Sequence, residues 1–173
     1  MPTTRLQGIF YYALRRRLSP RRRFEWFPPF ASMGVRVTEM SQDGRRLSLR
    51  LPLNFYNRNP GGSMFGGAMA SLADPVPALM CARIFENCAV WTRSMHIDFR
   101  HEGRSDLVMR VEISAEQVNA IGVELARRGR ATPEFEYGFF DARERLCAWV
   151  HNRVALRPPH HRPEGGALGH KRH

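Results

Sequence analysis

The stretch Asn57 to Asp74, NRNPGGSMFGGAMASLAD, reads as a glycine-rich loop feeding a helix that carries a carboxylate, and the rest of the chain can be read around it. Asn54, Asn57, Asn59, Pro60, Gly61, Gly62 and Ser63 are turn formers, and none of them favours a helix interior. From Gly66 onward small and apolar residues recur at helical spacing, which predicts a helix ending near Phe85. The first amides of a helix lack intrahelical acceptors and lie at the positive end of its dipole. Gly66 and Gly67 are therefore candidate donors to an oxygen gaining negative charge. Glycine at both positions lets a ligand approach the backbone closely.

Asp74 follows Gly67 by seven residues, about two turns, so the two share a face with Ala70, Ser71 and Ala78. Met69, Leu72, Val76, Leu79 and Met80 make the opposite, core-facing stripe. A carboxylate among small neighbours has room beside it for a substrate. The plain alternative is a solvated Asp, or one tied up in an ordinary ion pair.

This segment resembles the signature of hotdog-fold thioesterases of the phenylacetic-acid-degradation type. In that family an Asn-containing loop runs into His-Gly-Gly, a helix, and Leu-Ala-Asp. Phe65-Gly66-Gly67 and Leu72-Ala73-Asp74 stand at that spacing, and Asn59 lies six residues before Phe65, where the family has a polar contact residue. The segments FPPFASMGVRV, NRNPG and WTRSMHIDF are similar to an uncharacterised, thioesterase-like branch of hotdog proteins, and the likeness covers about residues 24–157. It implies hydrolysis of an acyl thioester, with acyl-coenzyme A as the expected substrate and no cofactor or metal. Asp74 would act as general base or nucleophile, the Gly66 or Gly67 amide would polarise the thioester carbonyl, and Asn59 would orient the thioester or water. Met64, Phe65, Ser71 and Ala78 are then the expected substrate-binding residues. The resemblance also implies a homodimer or a dimer of dimers. Three positions depart from the family pattern: Phe65 replaces the His, Ala78 stands where some relatives have a hydroxyl, and Pro75 and Pro77 interrupt the helix.

At 173 residues, 43% apolar and 25% charged, the chain suits one globular domain with a full core. Its 27 Lys plus Arg against 16 Asp plus Glu leave +11, which favours an anionic partner. A nucleotide-bearing thioester, an acidic carrier protein, nucleic acid and a membrane surface all qualify. Cys81, Cys88 and Cys147 fit neither a zinc nor a thioredoxin spacing, and an odd count argues against a disulfide framework, so a cytoplasmic location is expected. No apolar run has the length of a membrane span, and Ile9 to Leu14 is too short and polar-flanked for a signal core. Residues 1–23 are expected to form a basic N-terminal helix and linker, residues 24–157 a hotdog domain, and residues 158–173 a disordered basic tail. Thr4 to Leu18 has helical periodicity, and its arginines could touch a membrane surface. RRRFEWFPPF is expected to be a linker that packs Phe24, Trp26, Phe27 and Phe30 on the domain.

Gly34 to Gln42 and Arg46 to Leu51 flank Asp43-Gly44, a strong hairpin signal. Cys88 to His101 is a predicted strand with Trp91, Met95, Ile97 and Phe99 on one face, and Asp106 to Ser114 another. Ala115 to Arg128 shows helical spacing, with Ser114 as N-cap and Gly129 as terminator. Ala131 to Ala142 and Arg145 to Arg157 complete the strands. The order predicts an α+β architecture, a curved, mainly antiparallel sheet wrapped around the central helix.

Rival sites are weaker. His96 and Asp98 share a strand face and could pair for the proton transfer of a dehydratase. Ser63 lacks a nucleophile elbow, and Cys81 has no adjacent base. The arginine runs could bind nucleic acid with steep salt dependence, but no recognised module surrounds them. A non-catalytic protein that binds acyl thioesters or an acyl carrier would explain Phe65, Pro75 and Pro77. Finally, seven residues at about 1.5 Å rise separate Gly67 and Asp74 by roughly 10 Å along one helix. Both groups must reach adjacent atoms of one thioester, so the site is expected to be made by two chains.

Overall fold

The structure, a computed structural model, describes residues 18–158. Two short helices, α1 (Pro20–Glu25) and α2 (Pro28–Met33), lead into β1 (Arg36–Met40) and β2 (Arg46–Leu51). Helices α3 (Gly66–Ala73) and α4 (Pro75–Ile84) follow, then β3 (Ala89–Phe99), β4 (Leu107–Glu112), α5 (Ala115–Arg128), β5 (Glu134–Phe140) and β6 (Leu146–Arg157). The six strands form one antiparallel sheet in the order β1-β2-β4-β5-β6-β3. Register shifts between Val37 and Glu39, Thr92 and Ser94, and Phe139 and Phe140 mark bulges, which bend the sheet.

Alternation decides which sheet face is buried. Leu47, Leu49 and Leu51 are each at most 2% exposed, as are Leu107, Met109 and Val111, and Phe135, Tyr137 and Phe139. Leu72, Val76 and Met80 of the α3–α4 rod close the core from the other side, with α4 packed chiefly on β3 and β6. This is the expected hotdog architecture. Helix α5 also has the expected bounds: Ser114 and Gln117 form a reciprocal capping box, and Gly129 ends it at φ 63°.

Two expectations are corrected. RRRFEWFPPF is helical over most of its length: Ser19 caps α1, Pro20 and Pro28 sit in the first turns, and Gly34 ends α2 at φ 73°. Phe24 and Phe30 are buried, whereas Trp26 is exposed. Helix α1 spans the expected boundary after residue 23 and covers the edge strand β1. There Arg21 donates to the Val37 carbonyl and Glu25 accepts from the Val37 amide at 3.0 Å. The expected interruption at Pro75 and Pro77 divides the central helix in two at Asp74, because neither proline can donate to carbonyls of the preceding turn. The second correction concerns β3: the bulge between Thr92 and Ser94 leaves Arg93 without a register partner and shifts the alternation, so Trp91, opposite Ala155 and 44% exposed, lies on the other face from Met95, Ile97 and Phe99. The predicted helix from Thr4 to Leu18 falls almost wholly outside the described residues, as does the expected tail past Pro158.

Two turn carboxylates couple the fold to pH. Asp43 accepts from the Ser41 hydroxyl at 2.6 Å and the Arg45 amide at 3.0 Å, which hold it well below the usual carboxylate range. Asp141 is lowered too, first by the Arg145 amide and then by that of Arg143. As pH falls the unfolded chain takes up these protons first, near pH 4, so this contribution is present above that value. It is lost progressively as pH drops towards the folded values. Thermal melts between about pH 7 and pH 2 are expected to show the midpoint falling below about pH 4. The fall should be shallower in Asp43→Asn and Asp141→Asn.

Candidate active site

Two asparagines build the loop before α3. Asn57, only 1% exposed, donates through Nδ2 to the carbonyls of Met33 at 2.7 Å and Pro52 at 2.9 Å. Its own carbonyl accepts from the Phe65 amide at 2.7 Å, so one buried side chain ties the end of α2 and the exit of β2 to the start of α3. Asn59 closes the following turn. Its Oδ1 accepts from the Ser63 amide at 3.1 Å, and its Nδ2 donates to Ser63 Oγ at 2.9 Å. Gly62, at φ 80°, supplies the reversal. Both polar atoms of the Asn59 side chain are thus engaged within the loop.

At the start of α3, the amides of Ala68 and Met69 return to the Phe65 carbonyl at 3.0 and 3.2 Å. The Gly66 and Gly67 amides have no acceptor among the described residues. Two rings flank them. A Cβ at Gly67 would lie 2.3 Å from Phe65 Cε1, so the Phe65 ring occupies space that only glycine leaves open. A Cβ at Gly66 would stand 3.2 Å from Phe99 Cζ.

A cavity opens on each side of this helix start. One, of about 630 Å³, is lined by Met33, Tyr56, Phe65, Gly67, Ala68 and Ser71. The other, of about 380 Å³, is lined by Asn59, Met64, Gly66, Phe99, Arg100 and His101 among others. Glu102 also lines the second, and its Arg100 pairs with Asp98, so the expected site residues divide between a mainly apolar space and a mixed polar one. Asp74 lines neither: it is exposed at the α3–α4 junction, with helical φ −50° and ψ −59°. Ala78 is 8% exposed and belongs to the core. At a rise of about 1.5 Å per residue, the seven residues between Gly67 and Asp74 set their backbones roughly 10 Å apart.

Around Asp74 the backbone is held from the sheet. Thr92 Oγ1 donates to its carbonyl at 2.7 Å, and Asn152 Nδ2 does so at 3.2 Å. Tyr137 Oη donates to the Ala73 carbonyl at 2.7 Å. Sequence reading passed over Asn57, Thr92, Phe99, Tyr137 and Asn152. The Asn-rich turn was visible, but nothing in it distinguishes the buried Asn from its neighbours, and the others arrive from distant strands.

The rival sites weaken on this geometry. Asp98 pairs with Arg100 at 2.9 Å, and His96 stands opposite His151 across β3 and β6. Burial pushes the Cys81 thiol up to about 12 and raises that of Cys147, so neither is a thiolate at neutral pH. Ser63 is buried and bonded to Asn59.

Residues 18–146 match the family model described as Domain of unknown function (DUF4442). The chain belongs to that family. No curated protein matches it. Among solved structures, this DUF4442 chain is similar to a Pseudomonas aeruginosa protein of unknown function for which thioesterase activity has been suggested. That likeness has TM-score 0.73 and 23% identity, over 80% of this chain and 93% of the other. A thioesterase from Haemophilus influenzae matches at TM-score 0.61 and 13% identity, over 80% and 90% of the two chains. The PaaI protein of the Escherichia coli phenylacetic acid degradation operon matches at TM-score 0.58 and 16% identity, over 76% and 85%. At these identities the likeness establishes the hotdog fold of the DUF4442 chain, and function rests on the site.

Proposed function

We propose that this protein hydrolyses acyl thioesters, with acyl-coenzyme A as substrate, and that it works as a homodimer in the cytoplasm. The observation that carries the reading is the pair of amides at Gly66 and Gly67, without acceptors among the described residues and set between a mainly apolar cavity and a polar one. The acyl chain lies along Phe65, Gly67 and Ser71. The anionic carrier passes Arg100 and His101, beside Met64 and the loop that Asn59 closes. The thioester carbonyl oxygen then accepts from the glycine amides, whose dipole end stabilises the charge it gains. Asp74 of the partner chain takes a proton from water as the water oxygen attacks the carbonyl carbon. The tetrahedral intermediate expels the thiolate, which takes that proton back, leaving a carboxylic acid and a free thiol. Solved structures described as thioesterases support thioester hydrolysis as the reaction class.

A second chain is needed because Gly67 and Asp74 stand roughly 10 Å apart along the rod. The open edge of β3, with Trp91 and Phe99 exposed, supports a copy docking there. A second reading, binding without turnover, draws support from the Phe65 ring over Gly67, where a His would offer hydrogen bonds.

The test has two parts. Purified protein is assayed against a panel of acyl-coenzyme A and acyl-pantetheine thioesters. Asp74→Asn chains are then mixed with Gly66→Val/Gly67→Val chains, each inactive alone. The mixed dimer is expected to regain up to about half the wild-type activity per dimer, because one of its two sites is intact. Persistent inactivity in verified heterodimers overturns the shared site. Tight binding of a non-hydrolysable thioester with no turnover on any substrate selects the binding reading.

A further inference from the structure

We propose that Thr92, Asn152 and Tyr137 form a clamp that sets the direction of the Asp74 side chain by fixing the two peptide planes on either side of its Cα. This rests on the reading of Asp74 as the catalytic carboxylate and adds three positioning residues to it. The Ala73 carbonyl belongs to the plane before Asp74 and the Asp74 carbonyl to the plane after it, so holding both fixes the backbone angles from which the carboxylate projects.

The clamp is needed because of the prolines. Pro77 has no amide to give the Ala73 carbonyl four residues earlier, and Tyr137 Oη, 2% exposed on β5, fills that role at 2.7 Å. Asn152 of β6 then donates from Nδ2 both to Tyr137 Oη at 3.1 Å and to the Asp74 carbonyl at 3.2 Å. Thr92 of β3 adds the third bond, 2.7 Å to the same carbonyl. Adjacent strands β5, β6 and β3 thus contribute one residue each to two successive carbonyls. Turning the Asn152 amide over would set its oxygen against the Asp74 carbonyl, so the donor is Nδ2.

The Asn152 oxygen supplies an independent sign. It is buried with no hydrogen-bond partner among the described residues, a state that costs stability and that an apolar residue of similar size would avoid. Packing does not call for an amide there, whereas two donations from Nδ2 do. Burial raises the Tyr137 phenol well above its usual range, the Asn152 bond lowers it, and the Asp74 charge raises it further. The phenol therefore stays a donor, and the carboxylate lies close enough to be felt.

The test uses the full chain with Thr92→Val, Thr92→Ser, Asn152→Leu and Tyr137→Phe, each assayed well below its own melting temperature and again in an Asp74→Asn background. Thr92→Val is expected to lower kcat about tenfold to a hundredfold with KM unchanged, as a slightly misplaced catalytic group does. Thr92→Ser restores the rate, and Thr92→Val costs nothing more once Asp74 is Asn. Unchanged kcat in Thr92→Val beside an inactive Asp74→Asn overturns the clamp and leaves the proposed function standing. Full activity in Asp74→Asn removes both. Crystal structures of Thr92→Val and Asn152→Leu give a readout without turnover. Asp74 is expected to shift relative to residues 66–72, and superposition without a shift in both variants overturns the clamp.

Discussion

Asp74→Asn is expected to lower kcat for the proposed acyl-thioester hydrolysis by about a hundredfold to ten-thousandfold and to leave KM almost unchanged, the range that follows removal of a general base. Asn has the shape of Asp without the basic oxygen, so substrate packing in the two cavities is retained. The fold is retained as well, because Thr92 and Asn152 bind the carbonyl of residue 74 and not its side chain. Asp74 is exposed and makes no salt bridge among the described residues, so its replacement should shift the melting temperature little. Steady-state kinetics on the best thioester of the panel, with a thermal melt of each protein, checks the prediction. Equal turnover by the two proteins would remove Asp74 from the mechanism.

Phe139→Ala destabilises the fold by about 3–5 kcal/mol, the usual cost of truncating a buried Phe. Phe139 is 0% exposed on β5, between Met109 of β4 and Ala148 of β6 in the sheet register. Hydrogen-bonded strands on both sides keep the walls from collapsing into the space it leaves. For a domain of this size, each kcal/mol is worth about 2–4 °C, so the melting temperature should fall by roughly 10 °C. Phe65→Ala is the control. That ring is 52% exposed, and its loss should cost no more than about 0.5 kcal/mol, as for most surface substitutions. Urea titration of both variants measures the two costs, and similar midpoints would contradict the placement of Phe139 in the core.

The candidate site was legible only in part. The glycine pair and the carboxylate two turns later were visible from spacing. Their separation was visible too, since the rise of a helix is the same wherever it lies. Asn59 was singled out where Asn57 is the buried residue, because both are turn formers and only Asn57 finds the carbonyls of Met33 and Pro52 beside it. Strict alternation placed Trp91 on one face of β3 with Met95, Ile97 and Phe99. The bulge after Thr92 shifts that alternation and turns Trp91 to the opposite face, which no local pattern announces.

What the sequence by itself determined is what near neighbours along the chain decide. Leu47, Leu49 and Leu51 of β2, Leu107, Met109 and Val111 of β4, and Phe135, Tyr137 and Phe139 of β5 alternate with their neighbours, and that period of two marks the buried faces. Ser114 and Gly129 bounded α5 through capping bonds to residues within four positions of themselves. The break at Asp74 was implicit in Pro75 and Pro77, which lack amides in any setting. The tertiary structure alone decided what compensates for that break. Tyr137 reaches the Ala73 carbonyl across 64 positions of sequence, and Asn152 reaches the Asp74 carbonyl across 78. No local pattern encodes such pairings, because they depend on which strands become neighbours once the sheet has closed on the helix.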